Sequence, residues 1–379
     1  MIAVSGGGIA GYSVAIAIAR SGQAVSLLTG GKHHQPLQGG IQIAPNGWQA
    51  LCTLGLDTAL ANQPMRLDAI RVRALESAAT ITQLALDQQY VSLGRNSLMT
   101  TLRDVAASLP EITFIDDRLA SLTDHNGAVT LLLASGNLLT CEGLVAADGA
   151  SGFGRKFVTG STSAKATTKL AMRAEIDTDI LPEMFARPES NLWLGQKAHI
   201  VHYPINDGAK VNVVVTLTGK NARNMSGWQD KILTPYPILA HLAHLDNIWT
   251  ATPLPHADSP LCWRRGNVAL AGDAAHIMPP HLAQGAGQTL QDAACLYKCL
   301  LETADIKSAF ASYARQRTTA VAPIARKAEL SGAIMRLSGP AARLRNIVLD
   351  VGGNSLIQSW LADVWAADPS LKTATPPSH

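Results

Sequence analysis

The opening residues constrain the fold of this chain more than any other stretch. Met1 to Val4 is a short apolar strand, followed at once by Ser5-Gly6-Gly7-Gly8-Ile9-Ala10-Gly11 and a helical pattern through Ala15, Ile16, Ile18 and Ala19. The result is G-x-G-x-x-G set between a strand and a helix. Gly6 permits the tight turn, Gly8 lets the backbone approach a pyrophosphate, and Gly11 lets the helix pack close to the strand. With Ile9 and Ala10 they form the expected dinucleotide loop. The second strand, Ala24 to Leu28, should end in an acidic residue that grips the adenosine ribose. Thr29 stands there instead, with one hydroxyl and no charge. It is the largest departure from expectation in the chain.

A second stretch, Gly266 to Leu296, organises the remainder. It opens with an apolar, β-prone run at Val268 to Ala271, closes with a helix-forming segment from Gln288 onward, and carries G-D-x-x-H-x-x-x-P-x-x-x-Q-G-A between them. A helix that starts in a glycine-rich loop offers unpaired N–H groups and the positive end of its dipole to an electron-rich or anionic ligand. Asp273, just beyond the strand, can accept a hydrogen bond from a ligand hydroxyl, and Pro280 fixes the chain direction. Gly285, Ala286 and Gly287 complete the loop.

Further glycine-marked segments lie between these two. Gly40-Ile41-Gln42-Ile43-Ala44-Pro45 leads into a helix bearing Trp48, Leu51 and Leu54, for which Asn46 is the expected N-cap. Gly94-Arg95 opens another helix, where Arg95 can fork onto a phosphate or ribose or simply face solvent. The strand Gly143 to Ala147 ends in Asp148-Gly149, with Arg155 a few residues on.

Size and charge narrow the class. A chain of 379 residues, 47% hydrophobic, suffices for two or three folding units. The net charge of +3 is spread without a basic stripe, which argues against nucleic acid. Cys52, Cys141, Cys262, Cys295 and Cys299 lack C-x-x-C spacing, so neither a disulfide framework nor a metal site is indicated. No charged leader precedes the first strand, and no apolar run approaches the roughly 18 residues that span a bilayer. A cytoplasmic protein, monomeric or homodimeric, with no integral membrane segment is expected.

Taken together, Gly6 to Gly11, Asp148-Gly149 after a strand, and Gly272-Asp273 with His276, Pro280 and Gln284-Gly285-Ala286 resemble the group A FAD-dependent aromatic hydroxylases. The resemblance is to members similar to the salicylate and 6-hydroxynicotinate monooxygenases. Gly40-Ile41-Gln42, Arg95, the strands His199 to Pro204 and Val211 to Val214, Tyr313 with Arg317, and Trp360-Leu361 extend the resemblance over almost the whole chain.

That resemblance implies an α/β fold: a Rossmann-like FAD-binding domain of the glutathione-reductase type, interleaved with a mixed-sheet substrate domain. The FAD-binding segments are expected at 1–66, 90–165 and 264–305, the substrate domain at 67–89 and 166–263, and a C-terminal helical region and tail at 306–379. Family members place the Gly6 to Gly11 loop on the pyrophosphate, Asp273 on the ribityl chain and the loop from Pro280 to Gly287 against the isoalloxazine. In the family, Asp148-Gly149 supports the pyrophosphate and the nicotinamide nucleotide, and Arg95 by position reaches the ribose or pyrophosphate. Gln291 stands where many members carry Glu.

The implied chemistry is the flavin's, with NADH or NADPH reducing FAD, dioxygen adding at C4a, and the terminal oxygen of the C4a-hydroperoxide passing to a small aromatic or N-heteroaromatic ring. A base beside the substrate is expected, because deprotonating a ring hydroxyl makes the ring a better nucleophile. His281, next to Pro280, is the first candidate, against a packing role. Along His199 to Pro204, alternation puts His199, Val201 and Tyr203 on one face and Ile200, His202 and Pro204 on the other. Tyr203 or His202 is thus a candidate substrate ligand, depending on which face meets the pocket. Arg173, on a pocket strand, either pairs with an acidic substrate, touches the flavin, or forms a cross-strand salt bridge.

Other residues read as architecture. His276 is expected to be structural, and His33 and His34 to be loop residues. Ala309 to Leu337 is a long helix with an interruption at Pro323, and its Arg315, Arg317, Arg326 and Lys327 make a solvated or domain-bridging face. A ubiquinone-pathway ring hydroxylase and a noncatalytic binder on a flavoprotein scaffold are the alternatives to the aromatic hydroxylase.

Overall fold

A computed structural model describes residues 1–30, 38–60, 63–125, 127–160, 169–195, 198–218, 226–245, 248–254, 260, 262–368 and 371. His33, His34 and the Pro376-Pro377 tail lie outside the described residues.

One six-stranded sheet runs in the order Arg264–Arg265, Val268–Leu270, Gly143–Ala146, Ile2–Ser5, Val25–Leu28, Ile112–Ile115. All neighbours are parallel except the first pair. Strands covered on both faces must be apolar throughout, which is why Ile2-Ala3-Val4 and Val268-Ala269-Leu270 carry no polar side chain and no exposure. Ile2 and Val4 face the helices Ile9–Arg20 and Gly285–Glu302, while Ala3 and Leu144 face an antiparallel meander of Leu119–His125, Ala128–Leu133 and Leu138–Cys141.

A seven-stranded mixed sheet runs in the order Thr250–Pro253, Lys169–Asp177, Lys210–Thr218, Ala198–Ile205, Glu189–Leu194, Ala69–Ala74, Thr80–Ala85. Only the Glu189 and Ala69 strands pair in parallel. Its two faces differ in chemistry. On the back, Met172, Ala174, Trp193, Ile200, Val213 and Val215 pack on Phe185, Trp228 and Leu239 in one apolar cluster. The alternate positions Arg173, Glu175, His199, Tyr203, Asn212 and Thr216 share the front face with Val201 and Val214. A small antiparallel sheet of Gly40–Ile43, Val91–Gly94 and Met65–Arg66 meets that front face, and Gly40 donates its backbone N–H to Asn212 Oδ1 at 2.7 Å.

Two local expectations are corrected. The helix after the Gly40 strand starts at Pro45 with Ala44 as its cap, so Asn46 is a buried helical residue and not the cap. The C-terminal helix Ile306–Met335 runs uninterrupted through Pro323. A proline removes one backbone donor, and the helix is anchored on both sides of it, at Val321 in the core beside the six-stranded sheet and at Ala328 in a separate cluster with Leu84, Tyr203 and Leu282. A further helix, Gly339–Ala362, kinks at Gly353.

Candidate active site

Because the strands are parallel, the Gly6–Gly11 loop, Thr29, Asp148 and the Gly272-Asp273 turn all emerge at one edge of the six-stranded sheet. Gly6 has φ +127°, and a Cβ there would lie 2.2 Å from Ala147 O. A Cβ on Gly11 would lie 1.7 Å from Gly6 O, whereas one on Gly8 would meet nothing within 4 Å. The turn is therefore closed against its own backbone and open toward a ligand at Gly8. Asp148 Oδ2 accepts from the Gly154 N–H at 2.9 Å, capping the next helix, while its Oδ1 is buried without a protein partner. Burial raises the Asp148 pKa above the ordinary carboxylate value.

Beneath the Gly272-Asp273 turn lies a buried network. Asp292 accepts from Gly272 N at 2.9 Å, approaches His276 Nε2 at 2.7 Å, and accepts from Arg317 Nε at 2.7 Å. Burial opposes its charge, but His276 and Arg317 outweigh burial and hold the carboxyl below its usual pKa. Tyr313 donates to Leu270 O at 2.8 Å, and Arg155 donates to Ala274 O at 2.7 Å. His276 is structural, as its spacing suggests. Arg317 is not on a solvated face: it is only 2% exposed and also reaches Gln288. The network leaves Asp273 exposed at the edge, with no hydrogen-bond partner among the described residues.

The turn Pro280–Leu282 leads to Ala283, a non-glycine residue at φ +53°, and to the helix Gly285–Glu302. Asn46 Nδ2 donates to Gln284 Oε1 at 2.9 Å and to Gln291 Oε1 at 3.3 Å. Gln291 thus serves as an acceptor inside the core. Gln42 has both ends of its amide engaged, donating to Ser190 Oγ at 2.7 Å and accepting from Tyr90 at 2.8 Å. A Cβ on Gly40 would lie 2.7 Å from Tyr203 Cε2, and Gly39 N donates to Glu175. Arg95 begins its helix with its backbone N–H on Gly39 O.

The face of the His199 strand is resolved by its neighbours. Tyr203 is on the front, buried, with its pKa pushed up by burial to about 12. His199 is also on the front, its ring centroid 5.2 Å from that of His281. Sequence reasoning noted the face His199 occupies but did not single the residue out. Only the approach of the Pro280 loop from elsewhere in the chain reveals its partner. His202 is corrected: it lies on the back face between Phe185 and Trp193, at 4.4 and 6.0 Å, away from both histidines of the front. Burial, the mutual proximity of the histidines, and Arg336 and Lys169 push His199 down to about 3. Burial followed by Arg336 and Lys169 pushes His281 down to about 4. Both rings are neutral near neutral pH, and each can accept a hydrogen bond at its unprotonated nitrogen. Arg173, on the same front face, has its Nε buried without a partner and makes no ion pair among the described residues. That removes the cross-strand salt bridge as its explanation.

FAD fits these residues. The open space above Gly8, the unpartnered Asp148 Oδ1 and the exposed Asp273 form one edge suited to a pyrophosphate and a polyol. No group of three or more His, Cys, Asp or Glu that could hold a metal occurs among the described residues, and no helix among them is long and apolar enough to cross a membrane.

Comparison with known proteins agrees with this geometry. The model of the FAD binding domain family matches residues 1–328. The chain is similar to 3-hydroxybenzoate 6-hydroxylase of Klebsiella oxytoca, 26% identical over 369 residues and covering 91% of each chain. It is also similar to 3-amino-4-hydroxybenzoate 2-monooxygenase PtmB3 of Streptomyces platensis, 29% identical with 91% of each covered. In fold it matches Klebsiella pneumoniae HpxO complexed with FAD and uric acid, with TM-score 0.86, 21% identity and 97% of each chain covered. The chain belongs to the FAD binding domain family and, within it, to the group A FAD-dependent aromatic hydroxylases, which use NAD(P)H and O2 to hydroxylate an aromatic or heteroaromatic ring.

Proposed function

We propose that the substrate is a small hydroxylated aromatic acid, held between the front face of the seven-stranded sheet and the Pro280 loop. The observation that carries this reading is the convergence there of two neutral histidines, Tyr203, and an arginine without an acid partner among the described residues. In this reading, a hydroxyl lies toward His199 and His281, and a carboxylate toward Arg173 and Tyr203. The names of the two relatives, which act on hydroxybenzoates, support an acidic ring of this size. The polar front face also favours such a ring over a ubiquinone-pathway precursor, whose isoprenoid tail needs a wide apolar tunnel.

Bound FAD would carry the electrons of NAD(P)H and supply activated oxygen derived from O2. The protein's contribution is positional and protonic. His281 accepts a hydrogen bond from the ring hydroxyl through whichever ring nitrogen faces it, and His199 beside it orients the ring. Arg173 fixes the far end of the substrate by a charge-assisted hydrogen bond. Gly6, Gly8, Ile9, Ala10 and Gly11 would hold the pyrophosphate, Asp148 would support that loop, Asp273 would accept from the ribityl hydroxyls, and Arg95 would reach the ribose or pyrophosphate. Pro280 with Gly285, Ala286 and Gly287 would border the ring, where the helix N-terminus would stabilise negative charge. Gly40 and Gln42 serve by shaping the wall between sheet and cofactor. The interleaved, glutathione-reductase-type division into segments 1–66, 90–165 and 264–305 against 67–89 and 166–263, and a cytoplasmic location, belong to the same reading.

Substrate-stimulated NAD(P)H oxidation across hydroxybenzoates, hydroxypyridines and their decarboxylated analogues tests it. Arg173→Met should raise KM about tenfold or more for the carboxylated rings and leave the decarboxylated ones unchanged. His281→Ala should lower hydroxylation more than flavin reduction. Equal effects on both ring types would remove Arg173 from carboxylate recognition.

A further inference from the structure

The missing acid at Thr29 directs attention to the strand beside it. Leu28 is in register with Ile115, and pairing continues past both strands: Thr29 N donates to Ile115 O at 2.9 Å and Gly30 N to Asp117 O at 3.0 Å. Asp116 is therefore the lateral neighbour of Thr29, at the same edge and in the same direction. The Thr29 hydroxyl lies 3.3 Å from Ile115 O and 3.5 Å from Asp116 Oδ1. The dinucleotide loop reaches this point directly, since a Cβ on Gly7 would lie 2.5 Å from Thr29 O. Asp117, next in sequence, turns its carboxylate onto the backbone, accepting from Arg118 N at 2.7 Å and Ser135 N at 3.2 Å.

We propose that Asp116 supplies the carboxylate for the adenosine ribose of FAD, displaced by one strand from its expected place, with the Thr29 hydroxyl bridging to it. A ribose diol presents two O–H donors. Asp116, an exposed side chain, offers acceptor capacity for one of them, and Thr29, when its own hydrogen points to Asp116 or Ile115 O, offers lone pairs to the other. The chain thereby retains a charge-assisted ribose contact although no acid ends its second strand. A Glu at position 29 in the native background would crowd a second negative charge against Asp116, so the threonine is the compatible neighbour.

Titration of the apoprotein with FAD and with FMN, which lacks the adenosine, tests this by quenching of flavin fluorescence. D116N should raise the FAD dissociation constant about tenfold and leave FMN binding unchanged. The double variant T29E/D116N should recover most of the loss, whereas T29E alone should not tighten binding. D116N binding FAD as tightly as the native chain would overturn the proposal, as would a loss shared equally by FMN. A native chain that took up no FAD would remove the proposal together with the flavoprotein assignment.

Discussion

His202 and His199 are three residues apart on one strand and meet opposite fates. His202 is fully buried, both ring nitrogens lack a protein partner, and burial followed by the nearby Arg73 lowers its pKa to about 3. In the unfolded chain its pKa is near 6.5. Between these values the unfolded state binds the proton and the folded state does not, so stability is complete above about pH 6.5 and is lost as pH falls toward 3. His199 and His281 act in the same direction. His202→Leu should flatten the pH dependence of the urea midpoint between pH 7 and 4 while leaving hydroxylation unchanged. A large loss of turnover in a folded H202L protein would return His202 to the site. Arg317 and Asp292 form a buried charge pair whose loss is measurable. Arg317→Met leaves Asp292 charged and buried and should cost about 3–5 kcal/mol in chemical denaturation, with weaker FAD retention because Gly272 is held by the same carboxylate.

At the scale of elements, the site depends on a helix remote in sequence. The helix Ile306–Met335 crosses the Pro280 loop at Gly332, where a Cβ would lie 2.3 Å from His281 Cδ2. Gly332→Ala improves helix propensity by up to about 1 kcal/mol, yet the contact must push the imidazole aside. The expected outcome is a protein that keeps its FAD but oxidises NAD(P)H with poorer coupling to hydroxylation. Unchanged coupling would show that His281 need not hold its position.

Such contacts mark the limit of what the sequence discloses. The strand, glycine turn and helix at Gly6 to Gly11 were legible because one local motif carries both the geometry and the reason for it. Alternation along His199 to Tyr203 was legible too, but not which face meets the ligand, since that is decided by where the Pro280 loop and the small Gly40 sheet approach. Asn46 has the side chain of a cap, but Pro45 begins the helix and the core glutamines claim its amide. Arg317 looked like a surface cation because its partner Asp292 belongs to another helix. Asp116 has no motif of its own and gains meaning only from strand register.

The whole molecule is built on two sheets of different character. The parallel sheet collects backbone N–H groups, Asp148 and Asp273 at its edge. The mixed sheet turns its apolar face to its own core and its polar face to the Pro280 loop. The architecture thereby brings the edge proposed for the cofactor together with the polar face proposed for the substrate. The most direct measurement is turnover of FAD-loaded protein with NAD(P)H, a hydroxylated aromatic acid and dioxygen labelled with the heavy isotope of oxygen. The prediction is one labelled oxygen atom in the ring product for each NAD(P)H consumed, with little hydrogen peroxide. Consumption of NAD(P)H that yields only peroxide for every aromatic acid tried would contradict the account.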